Sequence, residues 1–563
     1  MIPRIITMLI SFLMLANGYP QYNNELQSLA ADFFEWRKAT QPVTEDDILR
    51  VERSDSWIPD FSPGTLEKNK QKYIDYSIRL KSVSRNNWSR SDSIDYLLMH
   101  SAIERVNWEL NILRTPYRNP DFYVHQTIGS VYELLLIHSP ITESRTRNII
   151  LRLQSIPQTV EYAKENLTEA VEPFALVALE NLLSIRNRLY NMRDGLLLII
   201  DKKYESSLNE AVEMAATALE EYKEWIEVKK SKMNKSSSIG RDNYIYFLRN
   251  VALMTYTPEE LLLMGEAEWN RSVSFDVFER ERNIGLPDMP IFSSSQEQIA
   301  KEKEFEKDIR KFLVEKDIMT VPDWVNHYIN KKIPPHIEPF VNMGVVDDLT
   351  SETRLDEDGV SYIPEPSQDL SYFRLATAKD PRPIIIHEGV PGHYFQMVLS
   401  WANPNPIRRR FFDSGPNEGI AFYVEELLLQ YGLFDDSPRS REIIYSFMRL
   451  RALRVDIDIN LALGNYTIED AGKYLASTVP MDLATGIDEA RFFAYNPGQA
   501  ITYQIGKLQI LKLIADARIL LGEKFNLKDY HDYMMLNGNV PIALQRWEYL
   551  GLTDEIEMLW PEN

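Results

Sequence analysis

Cysteine is absent from all 563 residues. No disulfide can staple the fold and no thiolate can hold a metal. No lipid anchor on an N-terminal cysteine is expected either. Glycine is scarce, at 22 residues, which leaves few positions that disfavour helix. After the N-terminus no apolar run reaches the roughly 20 residues that span a bilayer, so no stable membrane anchor is expected. Basic residues are outnumbered 62 to 83, for a net charge of −21. That sign repels phosphate and argues against nucleic acid as a partner. Histidine is also rare, with eight in the chain.

What is present favours a helical globule. Hydrophobic residues make up 44% of the chain, with 29 Tyr, 23 Phe and 10 Trp, enough for a large core. Met1-Ile2-Pro3-Arg4 supplies one positive charge, and an apolar run from Ile5 to Ala16 follows before Asn17-Gly18 breaks it. This pattern suits a secretory signal peptide over 1–18. Export without disulfides fits a periplasmic or secreted bacterial protein.

Residues 19–235 read as one helix after another. Within 174–200, Leu176, Leu179, Leu182, Ile185 and Leu189 recur at three- and four-residue steps. The basic, Ser-rich stretch Lys229 to Ser238 reads as a linker, which sets off a second region at 236–563. Thr257-Pro258-Glu259-Glu260 has the chemistry of a helix start. Prolines crowd 334–383, and Tyr362-Ile363 and Tyr372-Phe373-Arg374-Leu375 have strand-like composition. The expectation there is one or two short strands or a connecting loop, leading into the motif that follows.

That motif is His387-Glu388-Gly389-Val390-Pro391-Gly392-His393. Two imidazoles and a carboxylate are the components of a zinc hydrolase site: ligands for the metal and a base for water. In the common H-E-x-x-H motif the histidines stand four apart and share a helical face. Here they stand six apart, about 240° around a regular helix. Pro391 relieves the problem. Its ring clashes with the carbonyl four residues back, that of His387, and it lacks an N–H. Gly389 and Gly392 loosen the backbone on either side. The spacing therefore predicts a bulged or unwound turn at 389–392 that brings the two rings together.

A second block, Pro416-Asn417-Glu418-Gly419-Ile420-Ala421-Phe422-Tyr423-Val424-Glu425-Glu426, reads as a helix capped by Asn417. Glu418 and Glu425, seven apart, share a face. Glu418 is the candidate third metal ligand, with a helix-dipole role as the alternative. Glu425 is the candidate to orient a ligand imidazole. A third block runs from Glu489 to Lys507. Tyr503, four residues after Gln499 on a helix begun at Pro497-Gly498, is the candidate oxyanion donor, with a core role left open. Arg491 and Lys507 are alternatives for that role or for a substrate carboxylate. Arg454 is a further cation of that kind, and Glu426 a further acid.

Taken in order, His-Glu-x-x-Pro-Gly-His, Glu-Gly-x-Ala-x-Tyr-x-Glu and Pro-Gly-Gln-Ala-x-x-Tyr-x-x-Gly-Lys resemble a largely bacterial family of unknown function grouped with the gluzincin metallopeptidases. The resemblance runs from about residue 240 to the C-terminus and more loosely through the N-terminal helices. It implies a mostly α-helical zincin with the metal in a cleft; with the chain length and the short strands read at 334–383, the expected fold is mainly α, bilobal and zincin-like with a small β element beside the active-site helix. It implies His387, His393 and Glu418 as ligands of one Zn2+ per chain, and Glu388 as general base. Two positions depart from the pattern: Ile420 stands where many relatives carry Trp, and Ala462 where many carry His. The expected activity is hydrolysis of a peptide or small amide. The competing readings are a catalytically silent binding protein on the same fold and a zinc hydrolase of a non-peptide bond.

Overall fold

Helix boundaries follow local chemistry wherever a cap is well made. The Thr257 hydroxyl accepts from the Glu260 N–H, the Glu260 carboxylate accepts from the Thr257 N–H at 2.8 Å, and Pro258 takes the first helical position. The computed structural model describes residues 23–43 and 51–560. The expected signal peptide at 1–18 lies outside them. The described chain is mainly helical with one small sheet, and no described helix is long and apolar enough to cross a membrane.

The elements that frame the site are α1 (Glu143–Asn166), α2 (Glu205–Lys229), α3 (Pro258–Arg282), β1 (Tyr328–Lys332), β2 (Asp347–Asp348), β3 (Gly359–Ile363), α4 (Tyr372–Lys379), α5 (His393–Trp401), α6 (Ser414–Gln430), α7 (Pro438–Leu463), α8 (Leu483–Tyr495) and α9 (Ile501–Leu521). In the N-terminal region α1 and α2 lie side by side, and their buried faces (Ile149, Leu153 and Ile156 against Ala211, Ala215 and Leu219) belong to the largest apolar cluster. Each large apolar side chain buried there contributes about 1.5–3 kcal/mol. That cluster also takes in Val360 and Tyr362 of β3 and Val540 and Leu544 near the C-terminus, so packing continues past residue 235. The Lys229–Ser238 stretch is stitched to the N-terminal helices: Asn234 N–H donates to the Ala170 carbonyl and Glu172 N–H to that of Asn234.

Three local expectations are corrected. The leucine run at 174–200 is broken into Glu172–Asn181 and Ile185–Leu197 by Ser184, which adopts φ 52°, and Leu176 is left 50% exposed. Tyr362-Ile363 does lie in a strand, β3. Tyr372–Leu375 does not; it forms the first turn of α4. Its aromatic residues suit a helical face that packs on α7, where Tyr372 Oη and Ser446 Oγ are 2.7 Å apart and the Phe373 and Phe447 rings 5.5 Å apart. The helix of the second block begins at Ser414, not after Asn417, because Asp413 caps it by accepting from Gly415 N–H at 2.9 Å. Asn417 is buried inside it and donates to Gln396 Oε1 at 2.7 Å.

β3 is the central strand. It pairs parallel with β1 from Tyr328↔Gly359 to Lys332↔Ile363 and antiparallel with β2 at Asp347↔Ser361 and Asp348↔Val360. The sheet abuts the histidine motif: a side chain on Gly389 would come within 2.6 Å of the Tyr328 ring. The Tyr328 hydroxyl donates to Asp347 Oδ1 at 2.8 Å.

Candidate metal centre

The backbone absorbs the six-residue histidine spacing in two steps. Ile385–Gly389 forms a π-helical turn, which adds a residue to the helical ladder. Val390 is then extended and the Val390–Pro391 peptide is cis. His393 begins the new helix α5. Gly392 cannot be replaced in this arrangement, since a Cβ there would overlap the carbonyl oxygens of His387 and Ile386. The result is convergence: the His387 and His393 rings lie 4.8 Å apart, centroid to centroid, at 83° to each other.

Glu418, one turn into α6, completes the group. One ligand atom from each of His387, His393 and Glu418 lies within 4.8 Å of the others, and all three residues are buried. Glu418 Oε2 stands 3.4 Å from His387 Nε2 and 3.3 Å from His393 Nε2. It is nevertheless directed so that it has no hydrogen-bond partner. A buried carboxylate oxygen is seldom left unmatched. Two imidazole nitrogens and one carboxylate oxygen around a shared point are a suitable donor set for a metal with an open position. The residues present therefore fit a zinc ion.

Glu425 lies on the other side of the same imidazole. Its Oε1 is 2.6 Å from His387 Nδ1, a position suited to accept a proton carried on Nδ1 and so to leave the Nε2 lone pair for a metal, and Arg451 Nη2 lies 3.2 Å from the same nitrogen. Arg451 of α7 holds Glu425 in turn, with Nη1 donating to Oε2 at 3.1 Å and Nη2 2.9 Å from Oε1. Without a metal, burial and the Arg451 charge act to lower the His387 pKa, but the Glu418 and Glu425 carboxylates outweigh them and raise it to about 9. Burial alone would raise Glu418; the two histidines instead hold it well below the usual carboxylate range. Glu388 is half-buried, and its side chain enters no hydrogen bond or ion pair with a described residue. It lies close enough to Tyr328 to add, after burial and Asp347, to the rise of that phenol's pKa.

The third block is divided by the fold. The Tyr503 ring stacks on His387, 6.1 Å between centroids and 11° from parallel, with the Arg454 guanidinium 4.5 Å from its own centroid. The chain before it is a turn in which Gly498 takes φ +92°, and α9 starts only at Ile501. The buried Asp458 carboxylate accepts from the N–H groups of Gly498 at 2.8 Å and Ile501 at 3.2 Å. Gly506 of α9 packs on Gly419 of α6, where a side chain on either would lie 2.7 Å from the other's Cα. This close approach sets α6 and α9 side by side and explains a glycine in each motif.

The remaining candidates serve other parts of the fold. Lys507 is fully buried, 2.8 Å from Glu426 and 3.4 Å from Glu268, so it is not available to a substrate carboxylate. Arg491 pairs with Glu180 at 2.5 Å and Asp488 at 3.1 Å. Arg454 is held by both oxygens of Glu489, at 2.7 and 2.8 Å. Glu426 is taken by Arg271 at 2.6 Å as well as by Lys507. Gln499 lines a separate cavity. Ala462 is buried in an apolar cluster, and its carbonyl accepts from the N–H groups of Ile239 and Gly240. Sequence reasoning missed Arg451. The available signal was a charged residue in the apolar run Leu450-Arg451-Ala452-Leu453, since a cation on a buried face requires an anion.

Two solved structures share this fold. A candidate lipoprotein of unknown function from Shewanella oneidensis is 15% identical, with a TM-score of 0.70, and the alignment covers 93% of this chain and 99% of that one. A candidate lipoprotein from Colwellia psychrerythraea is 18% identical, with a TM-score of 0.73 and coverage of 93% and 98%. No curated protein sequence matches the chain. Residues 46–274 and 283–547 match the family described as "Bacterial protein of unknown function (DUF885)", and the chain is a member of that family.

Proposed function

We propose that this protein is an exported, zinc-dependent hydrolase of peptide or amide bonds on a bilobal, zincin-like helical fold. One observation carries the reading. His387, His393 and Glu418 bring three ligand atoms within 4.8 Å of one another in a buried site, and Glu418 Oε2 lacks any hydrogen-bond partner there. The ion, when bound, would polarise the scissile carbonyl and acidify water. Glu425 and Arg451 keep His387 in the tautomer that can ligate. Glu388, untied and adjacent to His387, takes a proton from the attacking water and delivers it to the departing amine. Tyr503, stacked on His387, is the group assigned to steady the developing oxyanion. Export is supported by the sequence pattern at 1–18 and by the description of both structural relatives as candidate lipoproteins.

The test is metal analysis together with a peptide-library assay of the wild type and Glu388→Gln. We expect one zinc per chain in both proteins and a loss of hydrolysis of at least about 100-fold in the variant. Stoichiometric zinc with no Glu388-dependent cleavage of any amide would sink the peptidase reading and favour another bond. Absence of bound metal would favour a silent binding protein.

A further inference from the structure

A cavity separate from the metal cluster lies where the N-terminal helices meet the third motif block. Its walls include Trp36, Trp108, Phe122 and Phe247, and Gln499 borders it. Water centres have about 100 Å³ of room in it. At roughly 15 Å³ each this is about seven waters, which in the liquid fill about 200 Å³, the size of one large amino-acid residue.

Two charged pairings decide what the cavity prefers. Arg37 and Glu109 neutralise each other, with Arg37 Nη2 2.9 and 3.0 Å from the two carboxylate oxygens. Arg105, also in the lining, is held less closely among the described residues. Its one ion pair among the described residues is with Asp413 at 3.5 Å, its side chain is 17% exposed, and that side chain makes no hydrogen bond to a described residue. A guanidinium has five N–H donors in a planar fork that matches a carboxylate. Here that fork borders a cavity with aromatic walls, and none of its donors hydrogen-bonds to a described residue. The other cations considered for a substrate carboxylate are held more closely: Arg454, Arg491 and Lys507 lie 2.7, 2.5 and 2.8 Å from protein carboxylates.

The cavity is linked to the metal cluster through α6. Arg105 touches Asp413, the cap of α6, and Glu418 follows five residues later, about 7 Å along a helix.

We propose that this cavity binds the C-terminal end of a peptide substrate, with an apolar last residue against the aromatic walls and its free carboxylate on Arg105. The proposal rests on the hydrolase reading and names its substrate class: peptides with an unblocked C-terminus. It is tested by titration calorimetry of N-acetyl-phenylalanine and its C-terminal amide into the zinc-loaded full-length protein. The acid is expected to bind at least tenfold more tightly than the amide. Arg105→Ala is expected to abolish that difference and Arg105→Lys to retain part of it. Arg374→Ala, which removes a half-buried cation of α4 that lies outside the cavity lining, is expected to leave it intact. Equal binding of acid and amide to the unaltered protein overturns the proposal without reference to any variant. So does discrimination that survives Arg105→Ala or is lost in Arg374→Ala. Acid-selective binding without Glu388-dependent hydrolysis keeps the pocket and overturns the hydrolase; the converse result keeps the hydrolase and overturns the pocket.

Discussion

Helix α6 carries two sets of buried charge on neighbouring faces, and they are built differently. On one face Glu426 meets Arg271 and Lys507, Lys507 also approaches Glu268, and Gln504 donates to Glu268 at 3.1 Å. Two cations face two carboxylates, and the Lys507 ammonium lies 4.2 Å from the centroid of the Phe422 ring. On the other face Glu418 directs an oxygen at two imidazole nitrogens and hydrogen-bonds to neither. Both faces belong to the same two motif blocks, which alone do not distinguish them. The difference is compensation. A completed buried network fixes helices in place, whereas an uncompleted one keeps donor atoms free for a ligand.

Lys507→Met should test the first face and produce the largest effect outside the catalytic base. It leaves Glu426 with Arg271 alone, and breaking a buried pair costs about 3–5 kcal/mol. We expect destabilisation near the lower end of that range by urea denaturation, with zinc stoichiometry unchanged in the folded protein. Lost zinc with unchanged stability would reverse the roles assigned to the two faces. The present ion pairs also depress Glu426: burial acts to raise its pKa, but Lys507 and Arg271 bring it to about 2.

The second face is sharpened by Glu425→Gln combined with Arg451→Met. Both charges go together, so neither is left buried alone. The fold should hold, while zinc affinity, measured by chelator competition, should fall about 10–100-fold because His387 loses the acceptor that fixes its tautomer. Unchanged affinity would make the Arg451–Glu425–His387 chain mere packing.

Much of this contrast was legible where the chemistry is local. The breaking power of Pro391 four residues after His387, the shared face of Glu418 and Glu425, and the Thr257 cap each depend on a few neighbouring residues, and each appears as read. Elements that depend on distant partners were not legible. β1 reads as Tyr-Ile-Asn-Lys-Lys and becomes a strand only by pairing with Gly359–Ile363. Tyr372–Leu375 has strand composition but is drawn into a helix by the aromatic face of α7. Arg451 and Lys507 look alike in sequence, as cations in apolar helices. Only the carboxylate each one meets separates a residue beside the metal site from a residue of the scaffold.

A third buried carboxylate tests whether an unpartnered oxygen is by itself diagnostic. Glu302, on the helix Ser295–Glu315, accepts from Gln298 Nε2 at 2.9 Å, and its Oε2 has no partner. It resembles Glu418 in that respect, but no imidazole or cation offsets its burial, which raises its pKa to about 8. The consequence for stability has a definite sign. Between about pH 4.5 and pH 8 the folded state holds a proton that the unfolded state has released, so stability falls as pH rises through that window. A tenfold difference in proton affinity between the two states is worth about 1.4 kcal/mol, and relaxation around the carboxyl reduces the total. Glu302→Gln should therefore be close to neutral at pH 5 and stabilising by about 1–2 kcal/mol at pH 9, read as a widening gap in thermal midpoint between variant and wild type. A gap that stays constant with pH would mean that Glu302 remains ionised in the fold, and a cation would then have to be sought at its free oxygen as it is at Glu418.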